Sequence, residues 1–383
     1  MDRAEVVVIG AGVMGSAAAR TLGERGVDTI LLEQFRVGHA RGSSHGAVRI
    51  FRLTYPQADY VRMAMRAFAS WHDLEERAGE TLLVQTGGLD FGPGVDGCAE
   101  AMTECGLPGE WLSARQAEER FPVFALDGVD RVLWHEQTGI CLADRAVAAQ
   151  VRLAREAGVD VREETPMTAV RPDGGGVVVE TASGEIRASV AVVAGGGWNT
   201  WILEAALGTF AEVGEPLPLE VAPRMVPTVQ DVSYFRARDP SAEWPVLIEW
   251  LDHMWYAAPS GGGPGIKVGR HLAGRAVDPS EGPFATLPEF QGDCAEYVRR
   301  RCPGLDPEPV DAETCLYTMT AAEDFVLDRV GPLVVGGGCS GHGFKFGPLI
   351  GEVLADLATG RDSDLPMERF SALRPALERA FAV

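Results

Sequence analysis

A β-branched run, Val6-Val7-Val8-Ile9, leads straight into Gly10-Ala11-Gly12-Val13-Met14-Gly15, then an Ala-rich helical stretch to Glu24, then a second strand from Thr29 to Leu32 that ends on Glu33. Few folds accommodate that order. It is the strand, Gly-x-Gly-x-x-Gly, helix, strand, acid sequence of a dinucleotide-binding βαβ unit, which implies a parallel sheet covered by helices. Gly10 permits the tight turn, Gly12 lets the backbone approach a pyrophosphate, and Gly15 lets the helix pack on the strand, while the helix N-terminus faces the phosphates. Glu33 would accept hydrogen bonds from an adenosine ribose, and its charge would repel a 2′-phosphate.

A second glycine run, Gly336-Gly337-Gly338-Cys339-Ser340-Gly341, follows the strand Leu333 to Val335, but the helix after it, about Pro348 to Thr359, nearly ends the chain. No second strand with a terminal acid follows, so the sequence holds one dinucleotide site. Enzymes that move electrons between a flavin and NAD(P)H use two, so this chain is expected to take electrons from a substrate and hand them elsewhere. Between the ends, Arg145 to Ala157 reads as a helix, Val177 to Thr181 and Ile186 to Ala188 as a hairpin, and Val190 to Ala194 as a buried strand. Segments around 81–139 and 221–317 carry more Trp, Pro and short alternating strands. The expected architecture is α/β: a discontinuous Rossmann-type dinucleotide domain over 1–80, 140–220 and 318–383, with a mainly antiparallel β substrate domain inserted as 81–139 and 221–317. The 383 residues suffice for two such units.

With 34 basic and 55 acidic residues the net charge is −21, which argues against a nucleic-acid partner. The longest basic run, Arg299 to Arg301, reads as a solvated helix face. Seven cysteines without a CxxC pair exclude a zinc framework and argue against disulfides, and no metal site is expected. The polar start leaves no room for a signal peptide and the longest apolar run, Val6 to Ala19, is too short for a bilayer, so a cytoplasmic location is expected. Only Lys267 and Lys345 among the 34 basic residues are lysine. They either mark sites needing a compact ammonium of tunable pKa or survive by chance in an Arg-biased chain.

Three segments appear in an order that resembles one family: Gly42-Ser43-Ser44-His45-Gly46-Ala47-Val48-Arg49-Ile50-Phe51-Arg52, Gly265-Ile266-Lys267-Val268-Gly269-Arg270-His271, and Ser340-Gly341-His342-Gly343-Phe344-Lys345-Phe346. With Glu313-Thr314-Cys315-Leu316-Tyr317-Thr318 they make the chain similar, over essentially its whole length, to the monomeric sarcosine oxidase and N-methyltryptophan oxidase family of FAD-dependent amine oxidases. The resemblance implies that Cys315 carries FAD through a thioether, although on its own it reads as a buried thiol. It implies further contacts to the cofactor from Gly10, Gly12, Val13, Met14, Gly15, Glu33, Gln34, Arg41, Ser43, Ser44, Arg49, Met167, Gly341, His342, Gly343 and Lys345. Arg49 and His45 match positions against the flavin. Lys267 matches the lysine that activates dioxygen by stabilising the charge it gains with the first electron. Arg52 and Lys345 match the pair that clamps a substrate carboxylate. Neither lysine motif contains an acidic neighbour.

A hairpin turning at Ser260 to Gly265 would bring Tyr256 and Lys267 together across its strands. Tyr256 and His271 match residues on the substrate side of the flavin, and a buried tyrosine and a core imidazole are the ordinary alternatives. Tyr317, two residues beyond Cys315 on the same strand face, is a candidate for the pocket wall, and Trp250, Met254 and Trp255 could complete it. The run Gly261-Gly262-Gly263-Pro264 suggests a loose turn able to admit a bulky substrate.

The resulting expectation is a monomeric oxidase of an N-methyl or other secondary-amine amino acid. Hydride passes to FAD, the imine hydrolyses, and dioxygen leaves as hydrogen peroxide. The rivals are a flavin-dependent dehydrogenase serving a carrier, a nicotinamide-dependent reductase and a non-catalytic flavin-binding module.

Overall fold

The computed structural model describes residues 2–219, 222–271, 274–363 and 365–374. At its centre the strand Asp2–Ile9 lies parallel between Thr29–Leu32 and Gly184–Val193, with Asp160–Arg162 parallel beyond Thr29–Leu32. Gly184–Val193 changes neighbours along its length. Its first half pairs antiparallel with Gly176–Thr181, while Ala191 to Val193 pair in parallel with Leu333 to Val335. Met167–Asp173 and Val326–Val330 complete an eight-stranded sheet.

The unbroken apolar runs explain why this sheet is central. Val6 to Ile9 are all buried, as a parallel strand covered on both faces requires. Val6, Val8, Leu31 and Val192 belong to one core beneath the helices Val13–Glu24, Ala143–Glu156 and Gly347–Thr359. Val7, Ile9, Ile30 and Val193 belong to the other, beneath Asn199–Glu212. The first and last of the three helices pack closely because Gly351 lies against Ala17, where a Cβ would stand 2.3 Å from the alanine methyl.

A second eight-stranded sheet runs in the order Leu305–Met319, Val226–Ala237, Ile266–His271, Met254–Pro259, Val246–Glu249, Gly88–Phe91, Arg131–His135, Glu110–Ser113. All its neighbours are antiparallel except Val246–Glu249 with Gly88–Phe91. The turn expected at Ser260 to Gly265 joins two of these strands. A small third sheet unites Val48–Phe51, Gly139–Leu142 and Leu83–Gln85, drawing on segments from both sides of positions 80 and 140. The strand Leu305–Met319 likewise continues past position 317. The segments between also contain the helices Val95–Glu104, Ala114–Arg120 and Pro288–Arg301. No described helix is long and apolar enough to cross a membrane, and the described cysteines are unpaired.

Candidate active site

A long cleft begins at Glu33, passes the N-terminus of the helix Val13–Glu24 and ends at Cys315 and Tyr317. Gly10, with φ of +102°, makes the turn expected of it, and a Cβ there would stand 2.6 Å from the Ala194 carbonyl oxygen. A Cβ on Gly15 would stand 1.9 Å from the Gly10 oxygen, so Gly15 serves helix packing and does not line the cleft. Glu33 is buried, and its two carboxylate oxygens accept the Ala11 and Phe35 amides, each at 2.9 Å. His39 lies 3.4 Å away, and with these hydrogen bonds it holds Glu33 below the usual carboxylate range even though burial opposes this. Val13 N–H donates to Ser44 Oγ at 3.0 Å. Gln34, Ser43, Ser44 and Met167 line the cleft, whereas Arg41 does not; its guanidinium lies 5.0 Å from the Phe35 ring. The second glycine run contributes Gly336, Gly337, Cys339 and Gly341 to this same cleft.

A smaller chamber adjoins it. Arg49, Cys315, Tyr317, Gly341 and Phe344 border both spaces, so a flat ring lying between them would have the cleft on one side and the chamber on the other. Arg49 donates to the carbonyls of Val48, Ser43 and His45, fixing its charge while closing the loop 42–49. The His45 ring nitrogens face the Gly42 and Thr314 carbonyls, each at 3.0 Å. Burial and Arg49 hold this imidazole below the ordinary histidine range. It ties the loop to the strand carrying Cys315.

Gly341, with φ of +77°, sits under Tyr317: a Cβ there would stand 2.2 Å from the ring. Gly341→Ala is therefore expected to lower stability by about 2–4 kcal/mol, from overpacking together with a left-handed backbone that alanine resists. A denaturant midpoint equal to wild type would refute this.

The chamber is lined by Arg52, Lys345, Lys267, His271, Tyr256 and Tyr317, with Val48, Ile50, Ile248, Met254, Ala258 and Phe344 supplying apolar wall. Alternation explains the set. Met254, Tyr256 and Ala258 point one way along their strand, facing Lys267 and His271 on the neighbour, with Ala258 opposite Lys267 and Tyr256 opposite Gly269. Trp255 points the other way and stacks on Tyr297 at 4.7 Å, so it is no part of the wall. Trp250 lies outside the chamber lining with its ring 4.9 Å from the Arg52 guanidinium. The glycine turn is also not loose. Gly261 sits against Leu142, Val48 and Ile140, and a Cβ there would stand 2.6 Å from Leu142.

The charges of the chamber are buried. Arg52 donates to the Thr54 carbonyl, and Lys345 Nζ donates to Tyr55 Oη at 2.9 Å and to the His342 carbonyl at 2.8 Å. Neither forms an ion pair among the described residues. Burial and Arg52 press Lys345 well below the usual lysine range. His342 lies beside this pair rather than in the cleft: Tyr55 Oη is 3.3 Å from its Nδ1, and its Nε2 faces the Glu323 carbonyl at 2.9 Å. His271, 3.4 Å from Tyr317 Oη, is pushed down to about 4 by burial and by the two cations, and so is neutral. Burial also raises Tyr256 and Tyr317, which stay protonated.

Lys267 has an acidic partner that its own motif does not contain. Glu313 Oε1 lies 3.4 Å from Lys267 Nζ and 2.5 Å from Tyr234 Oη. The three residues sit side by side on adjacent strands, with Tyr234 opposite Lys267 and Val232 opposite Glu313. No group of three or more His, Cys, Asp or Glu residues among those described is arranged to hold a metal ion.

The family described as FAD dependent oxidoreductase matches residues 5–357. The chain belongs to this family. Monomeric sarcosine oxidase of Arthrobacter sp. is 30% identical to this oxidoreductase over 98% of the chain and 97% of its own length. N-methyl-L-tryptophan oxidase of Yersinia pestis is 28% identical over 97% and 99%. Among solved structures, NikD, an amino acid oxidase essential for nikkomycin biosynthesis, superposes with a TM-score of 0.83 at 27% identity, covering 97% of this chain and 98% of its own.

Proposed function

We propose that this FAD-dependent enzyme oxidises the carbon–nitrogen bond of an amino acid bearing a secondary amine. The observation that carries the reading is the pair of buried cations, Arg52 and Lys345, which line one chamber beside Cys315 and form no direct ion pair among the described residues. Two cations in an enclosed space without a carboxylate in direct contact call for an anion, and a planar Arg fork beside a point-charge Lys suits a carboxylate. Among the described residues no carboxylate lines the chamber to hold an ammonium, so the amine enters neutral.

The cleft suits FAD. Glu33 is positioned for the ribose and the glycine turn and helix N-terminus for the pyrophosphate, and Gly10, Gly12, Gly195, Gly196 and Gly341 line the cleft without side chains. Cys315 would hold the flavin covalently, with Arg49 and His45 fixing the loop against it. Bound FAD supplies the acceptor for the hydride equivalent. The protein's own part is to hold the donor carbon toward that acceptor through Arg52 and Lys345, to exclude water with Tyr256, Tyr317 and the apolar wall, and to keep His271 neutral. The imine product then hydrolyses, and dioxygen, taking two electrons and two protons beside Lys267, leaves as hydrogen peroxide. The names of the sarcosine and N-methyl-L-tryptophan oxidases support the substrate class. We read the protein as a cytoplasmic monomer.

A second reading has one observation in its favour. Glu313 offsets the charge of Lys267, as suits an enzyme that passes electrons to a carrier and is slow toward dioxygen. The deciding experiment is anaerobic bleaching of the purified flavoprotein by sarcosine, N-methyl-L-tryptophan, L-pipecolate and L-proline, followed by admission of air. Prompt return of the yellow colour with one peroxide per substrate supports the oxidase, and a persistently bleached protein supports the dehydrogenase. If no compound bleaches the flavin, the amine reading fails.

Cys315→Ala is expected to lose covalent flavin entirely, with yellow colour passing into the supernatant on acid precipitation where wild type keeps it in the pellet. Colour retained in the variant's pellet would redirect attention to Cys339, which lines the same cleft.

A further inference from the structure

We propose that Asp90 is the positioning residue of the anion clamp, holding the Arg52 guanidinium in place through Trp250 and Thr54. The inference rests on the reading of Arg52 and Lys345 as a carboxylate site. Asp90 lies on the strand Gly88–Phe91, every residue of which is buried. Leu89 and Phe91 enter the apolar core of the second sheet, so period-2 alternation turns Asp90 to the opposite face. An acid is out of place at such a position, since a carboxylate pays heavily for leaving water. Its fixed hydrogen bonds suggest what it does there.

One oxygen of Asp90 accepts the Trp250 indole N–H at 2.7 Å and the Thr54 hydroxyl at 3.1 Å, while the other is buried without a partner among the described residues. Both donors then touch Arg52. The Thr54 carbonyl accepts from the guanidinium, and the Trp250 ring lies 4.9 Å from it. Tyr55, whose ring is 4.2 Å from Arg52, is a further neighbour, and it also accepts from Lys345. Asp90 therefore holds Thr54 and Trp250, two of the groups against the planar fork, without itself lining the chamber. The groups facing it are Arg52, Thr54, Trp250 and Cys98 of the helix Val95–Glu104. Burial lifts its carboxyl to about 6, against the pull of the Trp250 and Thr54 hydrogen bonds and of Arg52.

A long side chain such as Arg loses much freedom on being fixed, and affinity for a carboxylate depends on having met that cost beforehand. Removing Asp90 should free Trp250 and Thr54 and weaken carboxylate binding, while leaving hydride transfer from a bound substrate nearly untouched. The experiment uses the FAD-loaded protein and two readouts. One is binding of propionate, a monocarboxylate without an amine, followed by Trp fluorescence. The other is anaerobic bleaching by the best substrate of the panel above, resolved into half-saturating concentration and limiting rate.

For Asp90→Val both the propionate dissociation constant and the half-saturating concentration are expected to rise about tenfold, with the limiting rate within about twofold of wild type. In an Arg52→Gln background the same substitution should have no further effect on either. Asp90→Asn keeps the shape and one acceptor and serves if the valine variant does not fold; a rise of about threefold is expected. Unchanged affinity in the variants, or an equal loss in the Arg52→Gln background, would overturn the role of Asp90. Failure of wild type to bind propionate would overturn the clamp itself, and with it any positioning of Arg52 for a carboxylate.

Discussion

Lys267→Met is expected to slow reoxidation of the enzyme by dioxygen about a hundredfold while substrate still bleaches the flavin at close to the wild-type rate. The magnitude is that of removing one preorganised electrostatic group from a water-excluded site. Lys267 is 5% exposed and faces the chamber where Cys315 and Arg49 border it. Burial chiefly, with Arg49 adding to it, brings its pKa down to about 8, while Glu313 pulls the other way. Below pH 8 the ammonium is therefore present, and it is lost as pH rises through that value. The oxygen half-reaction should follow the cation, falling on the alkaline side of about pH 8, while Lys267→Met should show no such limb. In Glu313→Gln the ammonium loses its partner and the limb should move to lower pH. Stopped-flow mixing of the reduced enzyme with air-saturated buffer across pH 6–10 measures all three. Equal losses in both half-reactions of Lys267→Met would remove Lys267 from the oxygen step and strengthen the carrier-dependent reading.

The same residue marks where sequence runs out. The glycine fingerprint was legible because its main constraints are local: the left-handed turn at Gly10, Gly15 against the Gly10 oxygen and Glu33 on the Ala11 amide all lie within one βαβ unit, although Gly10 also meets the distant Ala194. The rejection of Trp255 from the wall was available too, since alternation with Tyr256 assigns it to the other face. Glu313 stood in plain view two residues before Cys315. Its pairing with Lys267 depends on the register of three strands that meet only in the folded sheet. Asp90 is harder still, 36 positions from Thr54 and 160 from Trp250. A buried acid within an apolar strand was the signal, and nothing local to Gly88–Phe91 says what it holds.

Arg52→Gln is expected to raise the dissociation constant for an amino acid substrate about a hundredfold, near 3 kcal/mol, the range for removing one member of a buried charge-assisted contact. Arg52 presents a planar guanidinium, whereas the Lys345 point charge is pressed well below its ordinary range by burial and by Arg52 itself. The two cations are thus unequal. In wild type the arriving carboxylate supplies the charge that lets both remain cationic. Without Arg52 the Lys345 amine holds its proton more readily, so Lys345 should recover part of the affinity as a single point charge, which neutralises but does not orient. The limiting rate of flavin bleaching should therefore fall as well, by about tenfold, because the donor carbon is no longer held at one angle. An amine of similar shape lacking the carboxylate would separate the two contributions. It should bind wild type and variant alike, and if Arg52→Gln weakens it as much as it weakens the amino acid, Arg52 supports the chamber wall and the carboxylate is held elsewhere.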